Sequence, residues 1–179
     1  MKFKKLTKGR ALYVTPDTVW IAKGMTLFGM TYDGKICTPR YRVGGSLEGI
    51  IGRFRLSRQA LRIGIHHLLP LKNGNILVSA KRRTYILNSN GQVINIFQGY
   101  QGNKPGHQGV CLTPAGTIFF GEYLLNTDRL KAVNLYRSVD NGATFEIVKT
   151  FAPGEIRHIH FIKWDPYDRC LWLGTGDYG

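Results

Sequence analysis

Tight turns between short apolar segments recur along this chain, and they constrain its fold more than any other feature. Three segments place an Asn-Gly or Asp-Gly pair between strand-like runs: "LFGMTYDGKICT", "YILNSNGQVINI" and "YRSVDNGATF". These dipeptides favour hairpin turns because their residues accept positive φ angles. The recurrence therefore predicts consecutive antiparallel strands, and no segment carries a convincing amphipathic helical period.

A second family of turns lies between the first, in "LLPLKNGNILVSA", "VCLTPAGTIFFGE" and "FIKWDPYDRCLWLGT". Each consists of an apolar stretch, a turn and an alternating strand. Four short strands repeating every ~40–57 residues are typical of propeller blades. We therefore predict one all-β domain over residues 1–179, with blades at about 10–43, 62–98 and 107–150 and half a blade at 157–179. The expected fold is a propeller-like array of four-stranded antiparallel blades.

About three and a half blades are fewer than the four to eight with which propellers usually close. The prediction is therefore an incomplete propeller, and two interpretations stay open. The chain is part of a six- or seven-bladed parent, or it closes with a second copy of itself. In either case exposed sheet edges and apolar blade faces predict self-association.

The segment "YRSVDNGATF" contains the most specific motif of the chain. Asp140 precedes the turn and can accept hydrogen bonds from its amides, while Ser138 and Thr144 close the network. Gly142 supplies a positive φ, and Phe145 is placed to pack between two sheets. The spacing resembles the Asp-box, or BNR repeat, of sialidases and other β-propeller proteins. The resemblance implies that these five residues are structural.

The same resemblance implies an association with carbohydrate, and it directs attention to Glu122 and Tyr123. Sialidases use a tyrosine–glutamate pair, an arginine triad and an aspartate acid. "YRVG" (41–44) only partly matches the motif that carries the first of those arginines, because it lacks the Ile and Pro. A complete sialidase site is therefore not expected. Glu122, Tyr123 and His107 are the candidate catalytic residues for a glycoside hydrolase-like or lyase-like activity.

The net charge of +14 favours association with polyanions. In a four-stranded meander, the loops after the second strand and the loops between blades lie on one rim. Guanidinium groups on such a rim suit the carboxylates of an acidic polysaccharide or oligosaccharide. The candidate ligand-binding residues on this rim are Arg53, Arg55, Lys81, Arg82, Arg83 and Gln108.

All five histidines lie at the starts of expected innermost strands, which line the central channel of a propeller. Aligning these strands places His67 level with His160 and His107 level with His158. The four side chains then share a strand face. They are candidate ligands for a divalent metal at the axis, or candidates for acid–base chemistry.

Three functions from different classes are consistent with these features. The first is a carbohydrate-associated propeller that binds or processes an acidic glycan through a basic, histidine-bearing rim. The second is a non-enzymatic scaffold for protein–protein interaction. The third is electrostatic binding of nucleic acid, which the +14 charge allows although no nucleic-acid motif is present.

The remaining features concern thiols and location. Cys37, Cys111 and Cys170 are widely spaced and odd in number, which predicts buried free thiols rather than disulfides or a zinc site. No apolar run is long enough for a membrane span, and the basic start lacks the apolar core of a secretory signal. Without a recognised signal, the expected location is cytoplasmic by default.

Overall fold

A computed structural model describes residues 7–45 and 64–176, and these residues form three four-stranded sheets and one two-stranded sheet. The first sheet contains β1 (Arg10–Val14), β2 (Val19–Lys23), β3 (Thr26–Met30) and β4 (Tyr41–Arg42). The second contains β5 (Ile65–Pro70), β6 (Ile76–Ala80), β7 (Arg83–Leu87) and β8 (Val93–Phe97). The third contains β9 (Val110–Leu112), β10 (Ile118–Gly121), β11 (Val133–Ser138) and β12 (Glu146–Phe151). The last consists of β13 (Phe161–Asp165) and β14 (Cys170–Gly174).

Every sheet is an antiparallel meander whose strands pair in chain order. The described residues contain no helix, and hence none long and apolar enough to cross a membrane. The predicted all-β array of propeller-like blades is therefore confirmed.

The sheets pack face to face, so the middle strands lose both faces to the core. All five residues of β6 are buried, whereas β12 is exposed over most of its length. Leu27 and Tyr41 of the first sheet pack with Val78 and Tyr85 of the second. Similar apolar layers join the second sheet to the third and the third to the β13–β14 hairpin. Burial on both faces explains the near-continuous apolar runs of the inner strands.

The turn at residues 138–145 is closed by a hydrogen-bond network around one carboxylate. Asp140 accepts bonds from the Ser138 hydroxyl at 2.8 Å, the Thr144 amide at 2.9 Å and the Thr144 hydroxyl at 2.6 Å. The Ser138 Oγ accepts a bond from the Gly142 amide at 2.9 Å. Asn141 and Gly142 both have positive φ, 57° and 85°. The ring of Phe145 stacks on Phe97 of the neighbouring sheet, with centroids 4.2 Å apart.

The three cysteines are free, but the expectation that all are buried is wrong. Only Cys111 is buried, because β9 lies between two packed sheets. Cys37 and Cys170 are exposed: Cys37 lies in a connection between strands and Cys170 at the start of an edge strand.

Replacing Gly142 by valine should destabilise the fold more than the same change at Gly74. Both glycines have positive φ, 85° and 82°, which a β-branched residue resists. A Cβ at Gly142 would also lie 2.5 Å from the Ile86 side chain, whereas nothing lies within 4 Å at Gly74. Thermal unfolding should therefore show a larger fall in Tm for Gly142→Val. Equal losses would show that contact with Ile86 is unimportant.

The Asp140 network should make stability depend on pH at the acid end. Bonds from Thr144, and then from Ser138, lower the pKa of Asp140 from 3.8 to about 2. A depressed folded pKa stabilises the fold above the unfolded value, and this contribution is lost as the pH falls from about 4 to about 2. Asp140→Asn should therefore lower Tm at neutral pH and match the parent near pH 2. Asp17→Asn, at an exposed turn, is the control and should show no such convergence.

Candidate functional site

In each sheet, the first strand begins and the second strand ends on the same side, along the edge that is formed by strand ends. Ile65 at the start of β5 pairs with Ala80 at the end of β6. In the third sheet, the Gly121 amide at the end of β10 donates to the Gly109 carbonyl ahead of β9, at 2.9 Å. We call this edge the rim. Loops that follow β6 and β10, and the segments that connect successive sheets, therefore converge on it.

A cavity of about 570 Å³ opens among these loops, and we call it the rim cavity. Its lining comes from the β6–β7 turn, the segment between the second and third sheets, the β10–β11 loop and the segment before β13. Among the described residues its lining includes no aspartate or glutamate. Its ionisable and aromatic side chains include Arg82, Lys104, Tyr123, Lys131, Arg157 and His158.

Arg82 is presented by a two-residue hairpin turn with unusual backbone angles. Lys81 and Arg82 have φ of 42° and 61°, in a region that Asn and Gly occupy more readily. The Arg82 amide donates to the Asn103 carbonyl at 2.8 Å, which fastens the turn to the segment that carries Lys104. Arg82, which the sequence analysis placed on this rim, therefore lines the same cavity as Lys104.

Lys131 and Arg157 complete the basic wall, and sequence reasoning missed both. The side chain of Asn126, which is buried, holds their backbones together. Its amide donates to the Lys131 carbonyl at 2.9 Å and to the Arg157 carbonyl at 3.3 Å, and its oxygen accepts from the Lys131 amide at 3.1 Å. Their position could have identified them, because both residues lie in loops that the predicted topology places on the rim.

Glu122 lies beneath the cavity and is not part of its lining. Its side chain is fully buried and accepts four hydrogen bonds. The donors are the Gln101 amide at 2.7 Å, the Gln101 side chain at 3.2 Å, the Asn134 amide at 2.8 Å and the Tyr136 hydroxyl at 3.0 Å. With four donors engaged, the carboxylate positions its neighbours, and the catalytic assignment of Glu122 stays a prediction.

The Tyr136 hydroxyl remains a donor to Glu122 at all ordinary pH values. Burial, and then the adjacent Glu122 carboxylate, raise the pKa of Tyr136 to about 12. Through its backbone, Glu122 also accepts a bond from the Ile159 amide at 2.9 Å. One residue therefore joins the cavity wall at Gln101 to β11 and to the segment that leads into β13.

Three aromatic rings pack together, and two of them, those of Tyr123 and His158, line the rim cavity. The Tyr123 ring lies 4.1 Å from that of His158, and the His158 and His160 rings are 4.5 Å apart. The Nδ1 of His158 donates to the Leu124 carbonyl at 3.0 Å, since a carbonyl oxygen only accepts. Nε2 of neutral His158 is then an acceptor, and it lies 3.0 Å from Nε2 of His160. His160 therefore donates to His158 when both rings are neutral.

A second cavity of about 330 Å³ lies between the innermost strands of all four sheets, and we call it the axial cavity. The Nη1 of Arg10 donates to Nδ1 of His66 at 3.3 Å. His67 donates from Nε2 to the Pro105 carbonyl at 3.2 Å. Burial, with smaller effects from Lys104 and other histidines, lowers the pKa of His67 to about 4. His67 is therefore neutral at pH 7. The polar lining includes Arg10, His66, His67, His107, Gln108 and Lys163.

The four histidines predicted as one metal site lie in two pairs instead. His67 and His107 face the axial cavity with ring centroids 6.5 Å apart, whereas His158 and His160 contact Tyr123. Within residues 7–45 and 64–176, no three metal-ligating side chains come together. Two features break the predicted alignment: β5 shifts its pairing between Ile65 and His67, and His158 and His160 precede β13 instead of lying in it.

The other predicted site residues are dispersed. Lys81 and Arg83 flank Arg82 and are exposed, but neither lines the rim cavity. His107, predicted as catalytic, and Gln108, predicted to bind ligand, line the axial cavity. Arg53 and Arg55 lie outside the described residues.

Comparison with known proteins shows the fold and does not show a family. No protein-family model matches the chain, and no curated protein matches it. A catalytically inactive histidine-to-alanine variant of virginiamycin B lyase from Staphylococcus aureus, with quinupristin, matches with a TM-score of 0.58 and 16% identity over 98% of this chain. A protein of unknown function from Bacteroides caccae matches with a TM-score of 0.53 and 13% identity over 88% of this chain.

These matches identify the blades as those of a β-propeller, the fold of the lyase. At such low identity the likeness concerns the fold alone. The chain spans about half the length of both solved structures, 52% in each case.

Replacing Glu122 by glutamine should destabilise the protein although the two side chains have the same shape. The new amide group would face donors that now bond a carboxylate oxygen, and buried donors left unpaired cost ~1–3 kcal/mol each. We expect a loss of ~2–4 kcal/mol, or ~4–16 °C in Tm for a chain of this size. Asp128→Asn, an exposed change in the same loop, is the control. If both variants melted together, Glu122 would not hold the cavity wall.

Proposed function

We propose that the rim cavity binds an acidic oligosaccharide through its carboxylates. The observation that carries the proposal is the composition of the wall: Arg82, Lys104, Lys131 and Arg157 line one cavity whose described lining lacks Asp and Glu. Like charges repel, so four cations around one concavity favour an anionic occupant. The buried contacts of Glu122 and Asn126 hold this arrangement before any ligand arrives.

The wall is suited to discrete carboxylate groups rather than to a uniformly negative surface. Two of the four cations are guanidinium groups, which bind planar carboxylates with two parallel hydrogen bonds. The amide side chains of Gln101 and Asn103 and the ring of Tyr123 also line the cavity. A mixture of amides and an aromatic ring suits the hydroxyls and ring faces of a sugar. An oligosaccharide with carboxylate groups presents both kinds of feature.

The aromatic side chains of the cavity favour a saccharide over nucleic acid. Proteins that bind single strands offer exposed aromatic faces on which successive bases stack. Tyr100 is only 6% exposed, and the Tyr123 ring packs against His158. Among the described residues, the most exposed aromatic side chains are those of Tyr167 and Trp172, which belong to the β13–β14 hairpin and not to the cavity.

The geometry supports binding more directly than catalysis. Most glycoside hydrolases place two carboxyl groups on either side of the scissile bond. The described lining of the rim cavity supplies none, and Glu122 is engaged beneath it. Apart from its cations, the ionisable side chains of this described wall are Tyr100, Tyr123 and His158, and His158 already bonds Leu124 and His160.

Titration with polygalacturonate, a neutral glucan and single-stranded DNA tests this function. We expect polygalacturonate to bind most tightly, with an affinity that falls as salt is added. Arg82→Gly should weaken binding about ten- to a hundredfold, because a charge-assisted hydrogen bond contributes ~1.5–3 kcal/mol. Glycine accepts the positive φ of 61° at this turn, so the variant should also keep or raise its Tm.

Lys149→Gln is the matched control, since it removes one exposed positive charge from β12, outside the cavity. It should leave affinity within about twofold of the parent, the range of most surface substitutions at ±0.5 kcal/mol. Equal losses in the two variants would mean that net charge alone attracts the ligand. Tighter binding of DNA than of polygalacturonate would indicate that the ligand is a nucleic acid and not a saccharide.

A further inference from the structure

We infer that the rim cavity and the axial cavity are two subsites for a single extended acidic oligosaccharide. The inference rests on the proposed function and specifies its ligand: a chain of several uronate residues rather than one sugar. Both cavities lie toward the rim, because β5 and β9 begin there and their first residues reach the axis.

One short segment separates the two cavities and lines both. Lys104 belongs to the wall of the rim cavity, and His107 and Gln108 belong to the wall of the axial cavity. Three residues span at most ~11 Å when fully extended, so the two walls are neighbours. A polymer chain that extends out of one cavity therefore lies beside the other cavity.

The chain from Gln101 to Gly106, which leads into the separating segment, is held at three points. Gln101 is bound by Glu122, and the Pro105 carbonyl accepts a bond from His67 at 3.2 Å. Gly106 packs so closely that a Cβ there would lie 2.6 Å from the His160 carbonyl oxygen. The spacing of the cavities is thus set before binding, which lowers the entropic cost of engaging both.

The charge of the axial cavity continues that of the rim cavity. Arg10 and Lys163 supply its permanent positive charges, and its described lining includes no carboxylate. Arg10 is held by His66 at 3.3 Å, while His67 is neutral at pH 7 because burial lowers its pKa to about 4. Repeating carboxylates along a polyuronide would therefore meet cations in both places.

Two linked subsites predict a specific dependence on chain length. Once a chain is long enough to reach the second cavity, its engagement is intramolecular and affinity rises steeply. The number of released counterions also increases, so long chains should show a steeper dependence on salt than short ones. A single subsite would give an affinity that levels off at the length that fills it.

The experiment measures calorimetric affinities for a ladder of galacturonate oligomers, from the monosaccharide to long chains. It compares the parent protein with Arg82→Gly, Arg10→Gln, Lys163→Gln and the control Lys149→Gln. Arg82→Gly should weaken oligomers of every length. Arg10→Gln and Lys163→Gln should each remove several-fold of affinity for long oligomers and leave short ones unchanged. Unfolding curves for each variant verify that the fold is retained.

The outcomes separate this inference from the proposed function. Affinity that stops rising at the shortest oligomers, or long-chain affinity that both axial variants leave intact, would overturn the two-subsite inference and leave rim binding standing. Absence of binding at every length would overturn both. A loss for short oligomers in Arg10→Gln but not in Arg82→Gly would reverse the order of the subsites and also contradict the inference.

Discussion

The arrangement of the rim depends on one buried carboxylate. Glu122 accepts four hydrogen bonds, two from backbone amides and two from side chains, and the three donor residues belong to different parts of the chain. Burying such a charge without partners would be costly, so the fold is stable only when Gln101, Asn134 and Tyr136 are in place. The positions of the cavity wall and of the third blade are thereby coupled. Glu122, which the sequence analysis predicted as catalytic, is the centre of the hydrogen-bond network that holds these segments together.

The basic wall above Glu122 lowers the stability of the folded protein. Four cations share one cavity, and Arg82 occupies a turn position with φ of 61° that glycine would fill more easily. Strained backbone and concentrated like charge both oppose folding, and neither is needed to close a hairpin. Asn126 and the Asn103 carbonyl add contacts that hold these groups where they are. Such a loss of folding stability is typical of a surface that binds a ligand.

The fold was largely predictable from sequence because its signals are local. Asn141-Gly142 requires positive φ, and alternating apolar residues require paired strands, so the all-β class and the meanders follow from short segments. Arg82 was assigned to this rim by topology alone. The histidine cluster was not predictable, because a one-residue shift in β5 redirects every following side chain. Lys131 and Arg157 lie in loops of the predicted rim, but the Asn126 contact that brings Arg157 beside Lys131 is long-range and has no sequence signature.

The central claim is that the cations of the rim cavity receive the carboxylates of an acidic oligosaccharide. A crystal structure of the protein with a galacturonate oligomer tests it most directly. We expect sugar carboxylates within hydrogen-bonding distance, ~2.7–2.9 Å, of Arg82, Lys104, Lys131 or Arg157. We also expect the contacts of Glu122 to be the same with and without the ligand. An oligomer bound at the β13–β14 hairpin or on another face, with the rim cations in contact only with solvent, would contradict the account.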